Sequence, residues 1–120
     1  MNGTPHPTEI RLSKDRRTLT VVYSDGFTFA FPAELLRVES PSAEVKGHTP
    51  SQRKTVGGKR NVSVTSIEPV GNYAIRIVFD DLHDTGIYSW TYLRELAEGH
   101  ERIWAAYLGA LKEKGLSREA

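Results

Sequence analysis

Residues 18–31 place the tightest constraint on how this chain can fold. Leu19, Val21 and Tyr23 alternate with their neighbours, Ser24-Asp25-Gly26 interrupts, and Phe27, Phe29 and Phe31 resume the alternation. A period of two marks a strand with one buried face. Asp-Gly accepts the positive φ angles of a tight reversal, so the stretch predicts a β-hairpin. Pro32 suits the first turn of a helix, and a short helix is expected over residues 33–37.

A second unit of the same kind follows. Tyr73, Ile75, Ile77 and Phe79 are in phase, Asp80-Asp81 turns the chain, and residues 83–88 can return as the partner strand. Ser89 is placed to cap a helix over residues 90–98. The segment ending at Asp25 and followed by Leu36-Arg37 is echoed by the segment ending at Asp81 and followed by Leu93-Arg94. Short strands are also expected at residues 9–12 and 62–67, with Pro69 as a break and Gly71-Asn72 as a turn. After Gly99 a second helix, over residues 100–114, carries Ile103, Trp104, Tyr107, Leu108 and Leu111 as one apolar stripe. Gly115 fits its stop and Leu116 could cover it. The expected fold is α+β: a small antiparallel sheet or sheets of about five to six strands built from two hairpin–helix units, with a C-terminal helix packed on the sheet. Residues 1–8 and 116–120 read as tails, and residues 9–115 as a single domain with a long loop at 38–61.

The 120 residues suffice for one domain with a core, and 38% hydrophobic against 26% charged residues is a globular balance. The absence of cysteine removes disulfides, thiolate metal sites and cysteine nucleophiles. No apolar run approaches the roughly 20 residues of a membrane span, and the first residues have no apolar signal core. The expected location is the cytoplasm, with no membrane partner.

Enzyme constellations are missing. None of the four histidines begins a His-x-Asp or His-x-Glu motif. Gly57-Gly58-Lys59 lacks the glycine spacing and the following hydroxyl of a phosphate loop, and there is no Gly-x-Ser-x-Gly elbow. Asp80-Asp81 reads as a turn rather than an acid/base pair. The chain is therefore expected not to be an enzyme. The loop holds Lys46, Arg53, Lys54, Lys59 and Arg60 with no acid between Glu44 and Glu68, which makes it a candidate anion or RNA contact. The net charge of +1 and the lack of interleaved aromatics argue against nucleic acid. His83, beside Asp81 and Asp84, is either a polar turn residue or a ligand for iron or zinc, with His48 as a further donor. Trp90 and Trp104 read as core.

Ser24-Asp25-Gly26-Phe27, Phe31-Pro32-Ala33-Glu34-Leu35-Leu36-Arg37 and His83-Asp84-Thr85-Gly86-Ile87-Tyr88-Ser89-Trp90-Thr91-Tyr92-Leu93-Arg94 together resemble the gamma-butyrobetaine-hydroxylase-like N-terminal domain, also called the DUF971 family. The resemblance spans about residues 8–98 and is most specific at Gly86-Ile87-Tyr88-Ser89-Trp90 with Leu93-Arg94. It implies a small α+β domain that occurs alone in bacteria, at the N-terminus of carnitine-synthesis dioxygenases, and fused to iron–sulfur carrier ATPases of the Mrp type. In the dioxygenases the domain is not catalytic and holds a structural zinc through three cysteines and a histidine. Carried onto this chain, the cysteine positions fall near Ser40, Ser42 and Val45 and the histidine on His83; Leu82 stands where the family has Gly. Hydroxyls and a valine are poor zinc ligands, so that site is expected to be absent.

The resemblance implies an accessory protein-interaction module, in iron–sulfur cluster or metal-cofactor handling, with an Mrp-type carrier ATPase as candidate partner. The candidate partner face is His83, Asp84, Tyr88, Trp90 and Arg94. Direct iron or zinc binding through His83, and anion or RNA binding through residues 46–60, are the alternatives.

Overall fold

The computed structural model describes residues 5–47 and 53–119. In chain order the elements are β1 (Pro7–Leu12), β2 (Thr18–Tyr23), β3 (Thr28–Pro32), α1 (Ala33–Val38), α2 (Ala43–Lys46), β4 (Val64–Val70), β5 (Ala74–Phe79), β6 (Gly86–Ser89), α3 (Trp90–Glu98) and α4 (His100–Glu113). They form two three-stranded antiparallel sheets, ordered β1-β2-β3 and β4-β5-β6. The expected α+β class and both hairpin–helix units are present.

Alternation decides what is buried. Leu19, Val21 and Tyr23 on β2, Phe31 on β3, and Ile75, Ile77 and Phe79 on β5 join Leu36, Tyr88 and Leu93 in one apolar core between the sheets and helices. Fully burying side chains of this size is worth roughly 1.5–3 kcal/mol each. The two halves are tied by backbone as well: Val64 N–H donates to Arg16 O at 2.8 Å, and the Tyr23 hydroxyl donates to Trp90 O at 3.1 Å.

Several boundaries differ from expectation for physical reasons. Pro69 does not break β4, because β4 is an edge strand and can spare an N–H. Tyr73 is 57% exposed and precedes β5; its carbonyl accepts the Trp90 N–H one position beyond the Ala74–Ser89 pair. The return strand begins only at Gly86, since side-chain hydrogen bonds hold residues 83–85 out of the ladder. The loop at 38–61 contains the one-turn helix α2, capped by Ser42 Oγ accepting the Glu44 N–H at 3.1 Å. On α4, Tyr107 and Leu111 are buried, while Leu108 is 41% exposed and lies off the buried stripe.

Both expected tails differ as well. Pro7 and Thr8 belong to β1. Gly115 adopts φ +67° and stops α4 as expected, but Leu116 is half exposed. The chain then runs back along the loop, where Gly58 N–H and Arg60 N–H donate to Ser117 O and Arg118 O. Arg118 grips the buried Glu34 carboxylate with two bonds, 2.7 and 2.8 Å. No helix among the described residues is long and apolar enough to cross a membrane.

Candidate functional site

The turn between β5 and β6 gathers most of the polar side chains that the fold buries. Asp81 accepts from Arg37 Nε at 2.7 Å and Lys59 Nζ at 2.6 Å, and from the His83 backbone N–H at 3.1 Å. Burial alone would raise its pKa, but these donors outweigh it and hold the carboxyl at about 2. Arg37 Nη1 is buried without a hydrogen-bond partner among the described residues.

His83 points inward, its side chain 3% exposed. Its Nε2 lies 2.9 Å from Ser40 Oγ and its Nδ1 3.3 Å from Glu44 Oε1. Burial, with Arg37 nearby, pushes the imidazole below its ordinary value, and Glu44 and Asp81 only partly offset this. The ring is therefore neutral at pH 7, and the pattern fits an Nδ1–H donating to Glu44 while Nε2 accepts from Ser40. Ser40 Oγ in turn accepts the Ser42 N–H at 3.2 Å, and Ser42 Oγ pairs with Thr85 Oγ1 at 2.6 Å. Gly86 is required here, because a Cβ on it would stand 2.6 Å from Ser40 Oγ.

Hydroxyl, imidazole and carboxylate are connected here in the order of a nucleophile triad. Ser40 has no exposed surface, however, so a substrate carbonyl cannot approach to the roughly 3–3.5 Å that attack requires. The arrangement works as a buried clamp between the loop and the β5–β6 turn.

Ser40 and Ser42, two of the positions where the resemblance places zinc-binding cysteines, thus do meet the β5–β6 turn, but as hydrogen-bonding hydroxyls. Val45, the third, is buried. Both nitrogens of His83 are engaged, and no group of three or more His, Asp or Glu side chains among the described residues could hold a metal ion. These residues do not fit zinc. Asp84 faces Arg76 at 3.4 Å, and His48 lies outside the described residues.

The five residues of the expected partner face are scattered. Tyr88 is fully buried, its hydroxyl donating to Leu36 O, and His83 is buried beside it. Trp90 is half-buried and donates through Nε1 to Asn72 O at 2.9 Å. Arg94 is spent on Asp25 at 2.9 Å and Glu98 at 2.8 Å, with its guanidinium 4.0 Å from the centre of the Phe27 ring. Only Asp84 is openly exposed. The alternation of Gly86 and Tyr88 inward with Ile87 outward was the signal that could have excluded Tyr88. Leu82, which stands where the family has Gly, is 86% exposed and keeps a glycine-like backbone at φ +72°; its exposure is what sequence reasoning did not foresee.

The basic loop is largely neutralised within the molecule. Arg53 pairs with Glu39, Lys59 with Asp81 and Arg60 with Glu119. Lys46 lies with Nζ 5.0 Å from the Tyr92 ring centre, and burial followed by Arg53 lowers its pKa. Lys54 is exposed and anchors the loop by its backbone N–H to Val45 O. The five cations do not make one open anion-binding surface.

Comparison with known proteins agrees with the architecture. Residues 10–94 match the model of the family described as gamma-butyrobetaine hydroxylase-like, N-terminal. A protein solved by NMR in solution is 45% identical, with a TM-score of 0.82 over 98% of this chain and 92% of its own. A second NMR structure is 44% identical at a TM-score of 0.82, covering 98% and 90%. A crystal structure of a DUF971-family protein of unknown function from Acidithiobacillus ferrooxidans is 41% identical, with a TM-score of 0.64 over 77% of this chain and 92% of its own. No curated protein matches the chain.

Proposed function

We propose that this chain, which belongs to the gamma-butyrobetaine hydroxylase-like N-terminal family, is a non-catalytic accessory module that docks a protein partner through the β5–β6 turn. Leu82 is the observation that supports this reading. A leucine in the left-handed region costs roughly 1–2 kcal/mol, and this one offsets none of that cost by burial, being 86% exposed. Strain of this kind persists where the surroundings over-determine it, and it concentrates at recognition sites. Here the surroundings are the Asp81 ion pairs on one side and the His83–Ser40 clamp on the other, which together present Leu82 between Asp80 and the exposed Asp84.

The tip is an apolar knob beside carboxylates, and it suits an apolar hollow with a basic rim on the partner. The family resemblance makes an iron–sulfur carrier ATPase of the Mrp type the first partner to test. The experiment compares binding of the purified ATPase to the wild-type chain and to Leu82→Gly. The variant should be more stable, because glycine adopts this φ without cost, and should bind at least tenfold more weakly. Unchanged affinity in Leu82→Gly would remove the turn as the docking site, and no binding by the wild type would remove this partner.

A further inference from the structure

The outer face of α4 has a pattern that the fold of a single chain does not explain. Glu101, Ala105, Leu108 and Lys112 lie four, three and four residues apart and are all exposed. That spacing is the a/d seam of a pair of helices. Its centre is apolar, with Leu108 at 41% exposure, and its two ends carry opposite charges. Neither Glu101 nor Lys112 takes part in an ion pair among the described residues. Gly109 flanks the seam in mid-helix, where only proline is less favourable. A Cβ there would meet nothing within 4 Å, so no close approach inside the chain requires the glycine. Beside the seam, Phe29, Pro32 and Trp104 help to line an apolar groove of about 690 Å³ between β3 and α4.

We infer that α4 pairs antiparallel with α4 of a second copy of this chain. A two-fold axis at the middle of the helix places Glu101 opposite Lys112 of the second copy, and Ala105 opposite its Leu108, with both pairs repeated by the symmetry. Each leucine then seats over a small residue beside the groove, and the bare Gly109 leaves room opposite Trp104 of the second copy. A parallel pair would set Glu101 against Glu101 and Lys112 against Lys112, so the charges select the antiparallel arrangement. The contact is isologous, as in most dimers, and a single helix face with part of a groove makes it a small and therefore weak one. This surface is separate from the β5–β6 turn, so the docking proposed there can stand or fall without it.

Sedimentation of the full chain across a wide concentration range tests the inference, with circular dichroism confirming that each variant is folded. The wild type should shift from monomer to dimer as concentration rises. Glu101→Lys and Lys112→Glu, each of which turns both symmetric ion pairs into like-charge pairs, should each weaken the dimer about tenfold or more. The double variant, with the charges exchanged, should restore it to near the wild-type value, and Leu108→Arg should abolish it. A chain that stays monomeric at every concentration, single variants as dimeric as the wild type, or a double variant that fails to recover would each overturn the inference.

Discussion

Protonating His83 would put a charge where the side chain has almost no contact with water. The folded-state pKa is depressed by burial and by Arg37, so below the ordinary value of 6.5 the unfolded chain takes up the proton more readily. The stabilisation is complete above about pH 6.5 and is lost as pH falls through that value toward the folded pKa. Denaturant midpoints measured between pH 7.5 and 5 should therefore drop in the wild type and stay flatter in His83→Gln. Asp81 acts in a lower window. Its folded pKa of about 2 lies under the ordinary 3.8, so its contribution, about 2 kcal/mol from that shift, is present above pH 3.8 and lost as pH falls toward 2. Asp81→Asn should lower the unfolding free energy at pH 7 by at least that amount, since it leaves Arg37 and Lys59 without their carboxylate, and should remove that acid limb. Gly86→Ala is expected to separate Ser40 from His83 and to weaken the fold at neutral pH, read as a lower melting temperature.

Among the elements, those whose order is local were legible in the sequence. The β2–β3 hairpin follows from strict alternation around Asp25-Gly26, and α3 begins at Ser89 because that hydroxyl accepts the Tyr92 N–H. Elements shaped by distant contacts were not legible. Helix α2 has one buried apolar residue, Val45, and gives no periodicity. Ser40 and His83 are separated by 43 positions, so nothing local announces the clamp that delays β6. The segment after α4 looked like a tail for the same reason: its anchors, Glu34 and the amides of Gly58 and Arg60, are far away in sequence. Arg118→Ala should cost about 1–3 kcal/mol by leaving Glu34 buried and unpaired. Hydrogen exchange at Gly58 and Arg60 should accelerate in that variant while the amides of β2 stay protected.

At the scale of the molecule, the two hairpin–helix units are fastened crosswise. Arg37, at the end of the first unit's helix, pairs with Asp81 in the second unit's turn. Arg94, at the matching place in the second unit, pairs with Asp25 in the first unit's turn. The two links differ in burial, and so should their energies. Arg94→Ala breaks a more exposed link, which solvent screens, and should cost little. Arg37→Ala takes from a largely buried carboxylate one of its two cationic partners, Lys59 being the other, and should cost more, about 1–2 kcal/mol; urea unfolding of the two variants would rank them. The crosswise arrangement also sets a timetable for synthesis. When the first unit leaves the ribosome, Arg37 has no carboxylate to meet, Asp25 has no guanidinium, and the apolar faces of β2 and β3 lack their cover. The first latch can close once Asp81 has emerged and the second only once Arg94 has, so until then the first sheet has all three of its strands but neither of its fastenings.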